Sequence, residues 1–99
     1  MIQIVALAAA LAPSALLAGT STYDGKTVTV TGTVSKYQTQ KTAMGTVAGF
    51  QLCDSACVTV IDQTAATHAN GSMATVSGTF ETTFKGPMRT FHNVIVIKK

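Results

Sequence analysis

The two cysteines of the sequence, Cys53 and Cys57, are separated by three residues. Phe50, Leu52 and Val58 alternate with other residues around them, and this alternation assigns both cysteines to the outer face of a β-hairpin. Cysteines that flank a short turn on one face lie close enough for a disulfide, which an oxidising compartment favours. The alternative is a redox or metal pair, but such pairs usually have the spacing C-x-x-C and further ligands nearby. We therefore predict a structural disulfide and no metal site.

The basic residues form a second pattern with chemical meaning. The formal net charge is +3, and four of the seven cations fall in two predicted loops, whereas the other three are outnumbered by four carboxylates. Cations beside aromatic rings are typical of proteins that hold single-stranded nucleic acid, because the charges meet phosphates and the rings stack on bases. The predicted ligand-binding residues are Lys36, Tyr37 and Lys41 between strands 1 and 2, and Phe84, Lys85, Arg89 and Phe91 around the loop between strands 4 and 5.

Sets of catalytic residues are missing from the sequence. It contains no nucleophile elbow (G-x-S-x-G), no zinc-protease motif (H-E-x-x-H) and no phosphate-binding glycine loop. The four carboxylates fall on separate predicted turns and strand ends. His68 and His92 belong to different predicted elements, and we interpret them as surface or rim residues rather than as ligands. We predict neither an enzyme nor a bound cofactor.

The elements that position these residues are predicted to be β-strands. Of the 99 residues, 46% are hydrophobic and 17 are threonine, a composition that favours a folded β protein. Residues 27–34 (TVTVTGTV) alternate strictly and place Val28, Val30 and Val34 on one buried face. Further strands are predicted at 46–53, 57–61, 73–84 and 89–97, with turns at 41–45, 54–56 and 85–87. One or two helical turns are predicted between Asp62 and Asn70.

Glycine interrupts the first and fourth predicted strands at matching places, in TVTGTV and in TVSGTF. Because a glycine within a strand weakens it, we interpret Gly32 and Gly78 as points where the strands coil around a small barrel. Five short strands, two such points and a helical element between strands 3 and 4 describe the OB-fold, a five-stranded Greek-key barrel. The predicted fold class is therefore all-β, with an OB-fold domain at residues 20–99.

Four segments also resemble a known family. They are residues 23–34 (YDGKTVTVTGTV), 50–58 (FQLCDSACV), 76–78 (VSG) and 91–95 (FHNVI). Together they resemble the small bacterial OB-fold proteins that are described as nucleic-acid-binding and are often exported. The resemblance spans about residues 16–97 and implies the same fold and a binding activity. The segment after strand 1 is richer in Thr and Gln and poorer in Arg than is typical of that family.

The first 23 residues carry no charge. Residues 4–12 (IVALAAALA) form an apolar run as long as a signal-peptide core and shorter than the ~20 residues of a membrane span, although no Lys or Arg precedes it. We predict that residues 1–19 are a signal peptide or its remnant plus a short helix, cleaved between about Ala10 and Gly19, and that no transmembrane anchor is present. The structural alternative is that Ser14 caps a helix at residues 15–18, which ends at Gly19 and covers one end of the barrel.

Two functions agree with these patterns. The first is an OB-fold module that binds single-stranded nucleic acid or another extended polyanion through its two basic loops. The second is an exported cell-envelope protein, structural or bound to a protein partner, in which the lysines only keep the domain soluble and the aromatic rings close its ends. The predicted location is periplasmic or secreted, with the cytoplasm as the alternative. Salt-dependent oligonucleotide binding argues for the first function and export for the second.

Overall fold

The structure, a computed structural model, describes residues 10–43, 45–86 and 89–98. Two short helices, α1 (Pro13–Ala18) and α2 (Thr20–Tyr23), precede the strands. The strands are β1 (Thr27–Thr42), β2 (Gly45–Cys53), β3 (Cys57–Asp62), β4 (Met73–Lys85) and β5 (Thr90–Ile97). No helix in these three ranges is long and apolar enough to cross a membrane. The predicted all-β class is confirmed.

The five strands form one sheet that closes in a ring. Their order is β1-β2-β3-β5-β4, and β4 pairs back to β1. β3 and β5 are parallel, whereas the other four neighbouring pairs are antiparallel. Ring closure gives each strand a hydrogen-bonded neighbour on both sides over part of its length, and the first half of β1 pairs with β4 whereas its second half pairs with β2.

The inside of the ring includes the residues that strand alternation assigned to it, together with residues of α1, β4 and β5. Val28, Val30 and Val34 are at most 5% exposed, and Phe80, Leu52 and Ile95 are fully buried. Burial of one such side chain stabilises the folded state by about 1.5–3 kcal/mol relative to its exposure. The core cluster consists of Leu16, Val28, Val30, Val34, Phe50, Leu52, Val58, Val60, Ala74, Val76, Phe80 and Ile95.

Gly32 and Gly78 lie where the backbone of another strand approaches closely. A Cβ atom on Gly78 would come within 2.6 Å of the carbonyl oxygen of Val96. One on Gly32 would come within 3.0 Å of the backbone nitrogen of Cys53 and 3.1 Å of Pro13 Cγ. Neither position has room for a side chain at the present separation of the strands, which explains the matching glycines in β1 and β4.

A β-bulge divides β1 and changes which of its residues face outward. The pairing of β1 with β2 shifts between Ser35 and Gln38, and Lys36 has a left-handed φ of 56°. The bulge adds one residue to β1, so the alternation of inward and outward side chains is reversed beyond it. Tyr37 therefore turns inward, where its ring lies 5.9 Å from that of Phe50.

Strand 1 was predicted to end at residue 34, with Lys36, Tyr37 and Lys41 in a loop, and this prediction is wrong. β1 continues to Thr42 because the bulge keeps its polar second half in register with β2. The other four strands begin or end within one residue of their predicted bounds. Met44 and Pro87, which belong to two of the predicted turns, lie outside the described residues.

The connection between β3 and β4 is not helical, contrary to the prediction. Residues 63–72 form turns and coil. Asp62 is 2% exposed, and its Oδ1 accepts hydrogen bonds from the backbone N–H and the hydroxyl of Thr64, at 2.8 and 2.6 Å. Such local bonds compete with helix formation. The left-handed φ values of Ala65 (55°) and Gly71 (88°) then break the helical path.

The segment before α1 contacts the sheet through one isolated parallel bridge, between Leu11 and Val30. The backbone N–H of Leu11 donates to the carbonyl oxygen of Thr29 at 2.8 Å, and the carbonyl oxygen of Leu11 accepts from Thr31 at 3.0 Å. Leu16, in α1, is fully buried in the core. The first nine residues, which include most of the apolar run, lie outside the described part of the chain.

α1 begins earlier than predicted and has a different cap. It starts at Pro13, a residue that suits the first helical turn, with Ala12 as N-cap and no capping side chain. The prediction that Ser14 caps the helix is wrong, because its hydroxyl donates instead to Asp54 Oδ2 at 2.6 Å. Gly19 ends the helix, as predicted.

Candidate ligand-binding groove

An open groove of about 1060 Å³ lies against the outer face of β1, β2 and β3. The three strands present their outward-facing residues to it, and the register aligns Gln38, Gly49 and Ile61 in one row across them. We call these strand residues the floor: Gln38, Gln40, Thr42, Val47, Gly49, Gln51, Thr59 and Ile61. The end of the β4–β5 hairpin contributes a wall, made by Phe84, Gly86, Arg89 and Phe91.

The wall combines one cation with two aromatic rings. The guanidinium carbon of Arg89 lies 4.8 Å from the centroid of the Phe91 ring, within the range of a cation–π interaction. Phe84 is the cross-strand neighbour of Phe91, and their ring centroids are 6.4 Å apart. Both rings are half-buried and Arg89 is exposed. The wall therefore combines two aromatic rings with a positive charge that lies over one of them.

Lys36 supplies the second cation that lines the groove. Its left-handed backbone conformation costs a non-glycine residue about 1 kcal/mol or more, and strain of this kind is concentrated at functional sites. The other two predicted lysines, Lys41 and Lys85, are exposed on the same two hairpins but are not lining residues. Of the four predicted cations, the structure thus brings Lys36 and Arg89 together at the groove.

No Asp or Glu is found among the described residues that line the groove. Apart from Lys36 and Arg89, the lining consists of amides, hydroxyls, aliphatic groups and aromatic rings. A positive potential that no lining carboxylate offsets attracts anionic ligands. The electrostatics of the groove therefore favour an anion, with most of the contact surface left neutral.

Tyr37, a predicted stacking residue, is used inside the fold. Its hydroxyl donates to the carbonyl oxygen of Ala66 at 2.9 Å, and its backbone N–H donates to Asn70 Oδ1 at 2.9 Å. The ring of His68 lies edge-on to Tyr37 and 5.1 Å from Phe50. Tyr37 thereby joins the β3–β4 connection to the core, and it does not line the groove.

The glutamines of the groove were missed from the sequence. Gln38, Gln40, Gln51 and Gln63 all line it, and each amide offers both donors and an acceptor. The signal was present in the even spacing of Gln38, Gln40 and Thr42, which is typical of the polar face of a strand. The interpretation of residues 35–42 as a loop conceals this pattern.

Cys53 and Cys57 form the predicted disulfide, with an S–S distance of 2.06 Å and directly opposed positions in β2 and β3. Asp54, in the turn between them, accepts hydrogen bonds from the hydroxyl and backbone N–H of Ser14. The bond from the Ser14 hydroxyl is the main cause that lowers the pKa of Asp54 below its usual value. The pair closes the β2–β3 hairpin and lies outside the groove lining.

Metal binding has no support in the three described ranges, since no group of three or more His, Cys, Asp or Glu side chains converges there. The groove has the size and composition of a binding site. No family model, curated protein or solved structure matches this chain significantly.

Proposed function

We propose that this protein is an OB-fold binding module that holds single-stranded nucleic acid, or an extended polyanion of similar charge, in the groove. The ring order β1-β2-β3-β5-β4 and the five strands support assignment to the OB-fold. In that fold the ligand face is formed by strands 2 and 3 with the loops between strands 1 and 2 and between strands 4 and 5. The β2 and β3 residues of the floor and the β4–β5 hairpin of the wall support this comparison.

The observation that carries the proposal is the pairing of Arg89 with Phe91 at a groove lined by no carboxylate of the described chain. Single-strand binders combine cations that follow the phosphates with aromatic rings on which bases stack. Lys36 adds a cation from the β1 bulge, and Phe84 extends the aromatic surface. Four glutamines and several threonines supply neutral hydrogen-bonding groups, which agrees with modest selectivity among sequences.

Salt-dependent binding of an oligothymidylate tests the proposal. Fluorescence anisotropy with a labelled strand of about 16 nucleotides, the upper end of the site size of one OB-fold, gives the binding constant at several salt concentrations. The variants are Arg89→Ala and Lys36→Gly; glycine is chosen at position 36 because it adopts the left-handed φ without strain. Lys98→Ala is the matched control, since Lys98 is exposed and does not line the groove.

We expect each groove variant to weaken binding and to reduce the slope of log K against log salt by roughly 0.7, the value for one phosphate contact to a single strand. Phe91→Leu should weaken binding by about 1–3 kcal/mol with little change of slope, because it removes a stacking surface and not a charge. The proposal is wrong if the wild type does not bind at low salt, or if the groove variants behave like Lys98→Ala. Competition with heparin measures whether another polyanion occupies the same groove.

The disulfide favours a second candidate, an exported envelope protein without a nucleic-acid role. Disulfides persist in oxidising compartments and are rare in the cytosol, and Cys53 and Cys57 are bonded. Fractionation of the native host tests this candidate. If it is correct, the oxidised protein should be found outside the cytoplasm. Oxidised protein in the periplasm together with no oligonucleotide binding at low salt would support the second candidate and exclude the first.

A further inference from the structure

Gly49 is a strand glycine that neither its φ nor its surroundings require, although it pairs with Gln38 at the end of the β1 bulge. The described strands contain four glycines. Gly32 and Gly78 face crowding from a neighbouring backbone, and Gly45 has a φ of 115°. Gly49 has neither feature: its φ is not positive, and a Cβ built on it has no other atom within 4 Å. A Cβ atom therefore fits at this position without a clash.

Glycine at such a place has a cost. Gly49 lies within β2, which is paired on one side with Gln38 of β1 and on the other with Ile61 of β3. A glycine inside a strand weakens it, whereas a β-branched residue on a pleated surface strengthens it. Besides bulges and bends, strand glycines often mark a place where a ligand or another backbone approaches closely, and no other backbone lies within 4 Å of the Cβ position here.

The position of Gly49 in the groove agrees with a ligand contact. It is a floor residue, and its missing side chain leaves a notch between Gln38 and Ile61. Adjacent strands are about 4.8 Å apart, so the two flanking residues are separated by roughly 9.6 Å across the notch. With no side chain at Gly49, a planar ring can reach the backbone at this place. Gln51 is the next floor residue along the same face of β2.

We propose that Gly49 forms the floor of a base subsite, in which one base of the bound strand lies against the β2 backbone. The amide of Gln38 then lies at the edge of the base, and the chain continues along the cations Lys36 and Arg89. This inference rests on the proposed function. A base is favoured over a sugar ring because those cations and the aromatic wall suit a phosphate-linked chain of planar rings.

Gly49→Val separates a ligand role from a structural one. Valine fills the notch and suits a strand, so we expect the melting temperature to stay unchanged or rise, while oligothymidylate binding weakens by roughly tenfold, as for the loss of one stacked base. Gly49→Ala should fold equally well and show a smaller loss. Ser77→Val is the control, since it adds bulk to the outer face of β4 away from the groove, and its binding should equal that of the wild type.

An abasic strand of the same length identifies the group that occupies the notch. Wild type and Gly49→Val should bind the abasic strand equally, because no base is present to be displaced. The inference is overturned if Gly49→Val binds oligothymidylate as tightly as the wild type, if it loses affinity equally for the abasic strand, or if both Gly49 variants lower the melting temperature. Failure of the proposed function is distinct: the wild type then does not bind oligothymidylate, whether or not it binds heparin.

Discussion

Reduction of the Cys53–Cys57 disulfide is expected to lower the free energy of unfolding by about 2 kcal/mol. The two cysteines are separated by four positions, so the bond closes a loop of about five residues. The chain-entropy relation gives a loss of roughly 7 cal/mol/K for the unfolded chain at this loop length, or about 2 kcal/mol at 25 °C. The effect is small for a disulfide because so short a loop restricts few conformations.

Thermal and urea unfolding with and without reductant measure this difference. For a domain of this size, about 2 kcal/mol corresponds to a decrease of roughly 8–16 °C in the melting temperature. The double variant Cys53→Ser/Cys57→Ser should unfold like the reduced wild type, and reductant should not affect it. Thiol titration of the denatured, unreduced protein should detect no free thiol.

An unchanged melting temperature after reduction, with thiol titration proving that the bond is broken, would refute the loop-closure argument. It would mean that the β2–β3 hairpin already restrains the denatured chain at this point. A loss greater than about 5 kcal/mol would also contradict it, because loop closure of five residues cannot supply so much. Native contacts of the turn, such as those between Asp54 and Ser14, would then contribute more to the lost stability than loop closure does.

Three further outcomes follow from the packing and the N-terminal segment. Gly78→Ala should lower the free energy of unfolding, measured by urea unfolding, by about 1–3 kcal/mol, because the new Cβ would lie 2.6 Å from the Val96 carbonyl oxygen. Gly49→Ala is the control, since a Cβ at Gly49 has no atom within 4 Å. If the apolar run is removed on export, an intact-mass measurement should show cleavage after Ala10, because Leu11 is hydrogen-bonded to β1. A mature chain that begins after residue 12 would contradict this prediction. Folding lowers the pKa of Asp54 below its usual value of 3.8. The ionised carboxylate therefore stabilises the folded state above pH 3.8, and this stabilisation is lost as the pH falls through the lowered pKa. Asp54→Asn should therefore melt at a lower temperature than the wild type at neutral pH, and the difference should shrink in acid; an equal difference at all pH values would contradict the assignment.

The strands and the core were predictable because each depends on a local pattern. Alternation with period two assigned Val28, Val30 and Val34 to the interior, and the same alternation placed both cysteines outside. Sheet pairing preserves such a pattern wherever its register is regular. The disulfide followed from the same reasoning, since residues on one face at a tight turn become direct neighbours.

The candidate site was only partly predictable, because it depends on an irregularity. The bulge at Lys36 reverses the alternation, which sends Tyr37 to the interior and Gln38 to the groove. Its position is decided by contacts with β2 and with the β3–β4 connection, and these are distant in sequence. The helix predicted after Asp62 is absent for a local reason: Asp62 bonds to Thr64 in a turn, and the left-handed φ values of Ala65 and Gly71 interrupt the helical path.

The groove and the disulfide are linked through the register of one hairpin. Cys53 opposes Cys57 at one end of the β2–β3 pair, and the same register sets Gln51 opposite Thr59 and Gly49 opposite Ile61. A slip of one residue would turn the floor residues into the core and the core residues outward. The covalent bond excludes that slip, and Phe50 and Leu52 oppose it by their burial. The polar floor can therefore be wide and weakly packed, because the register that positions it is fixed by the core beneath it and by the bond at its end.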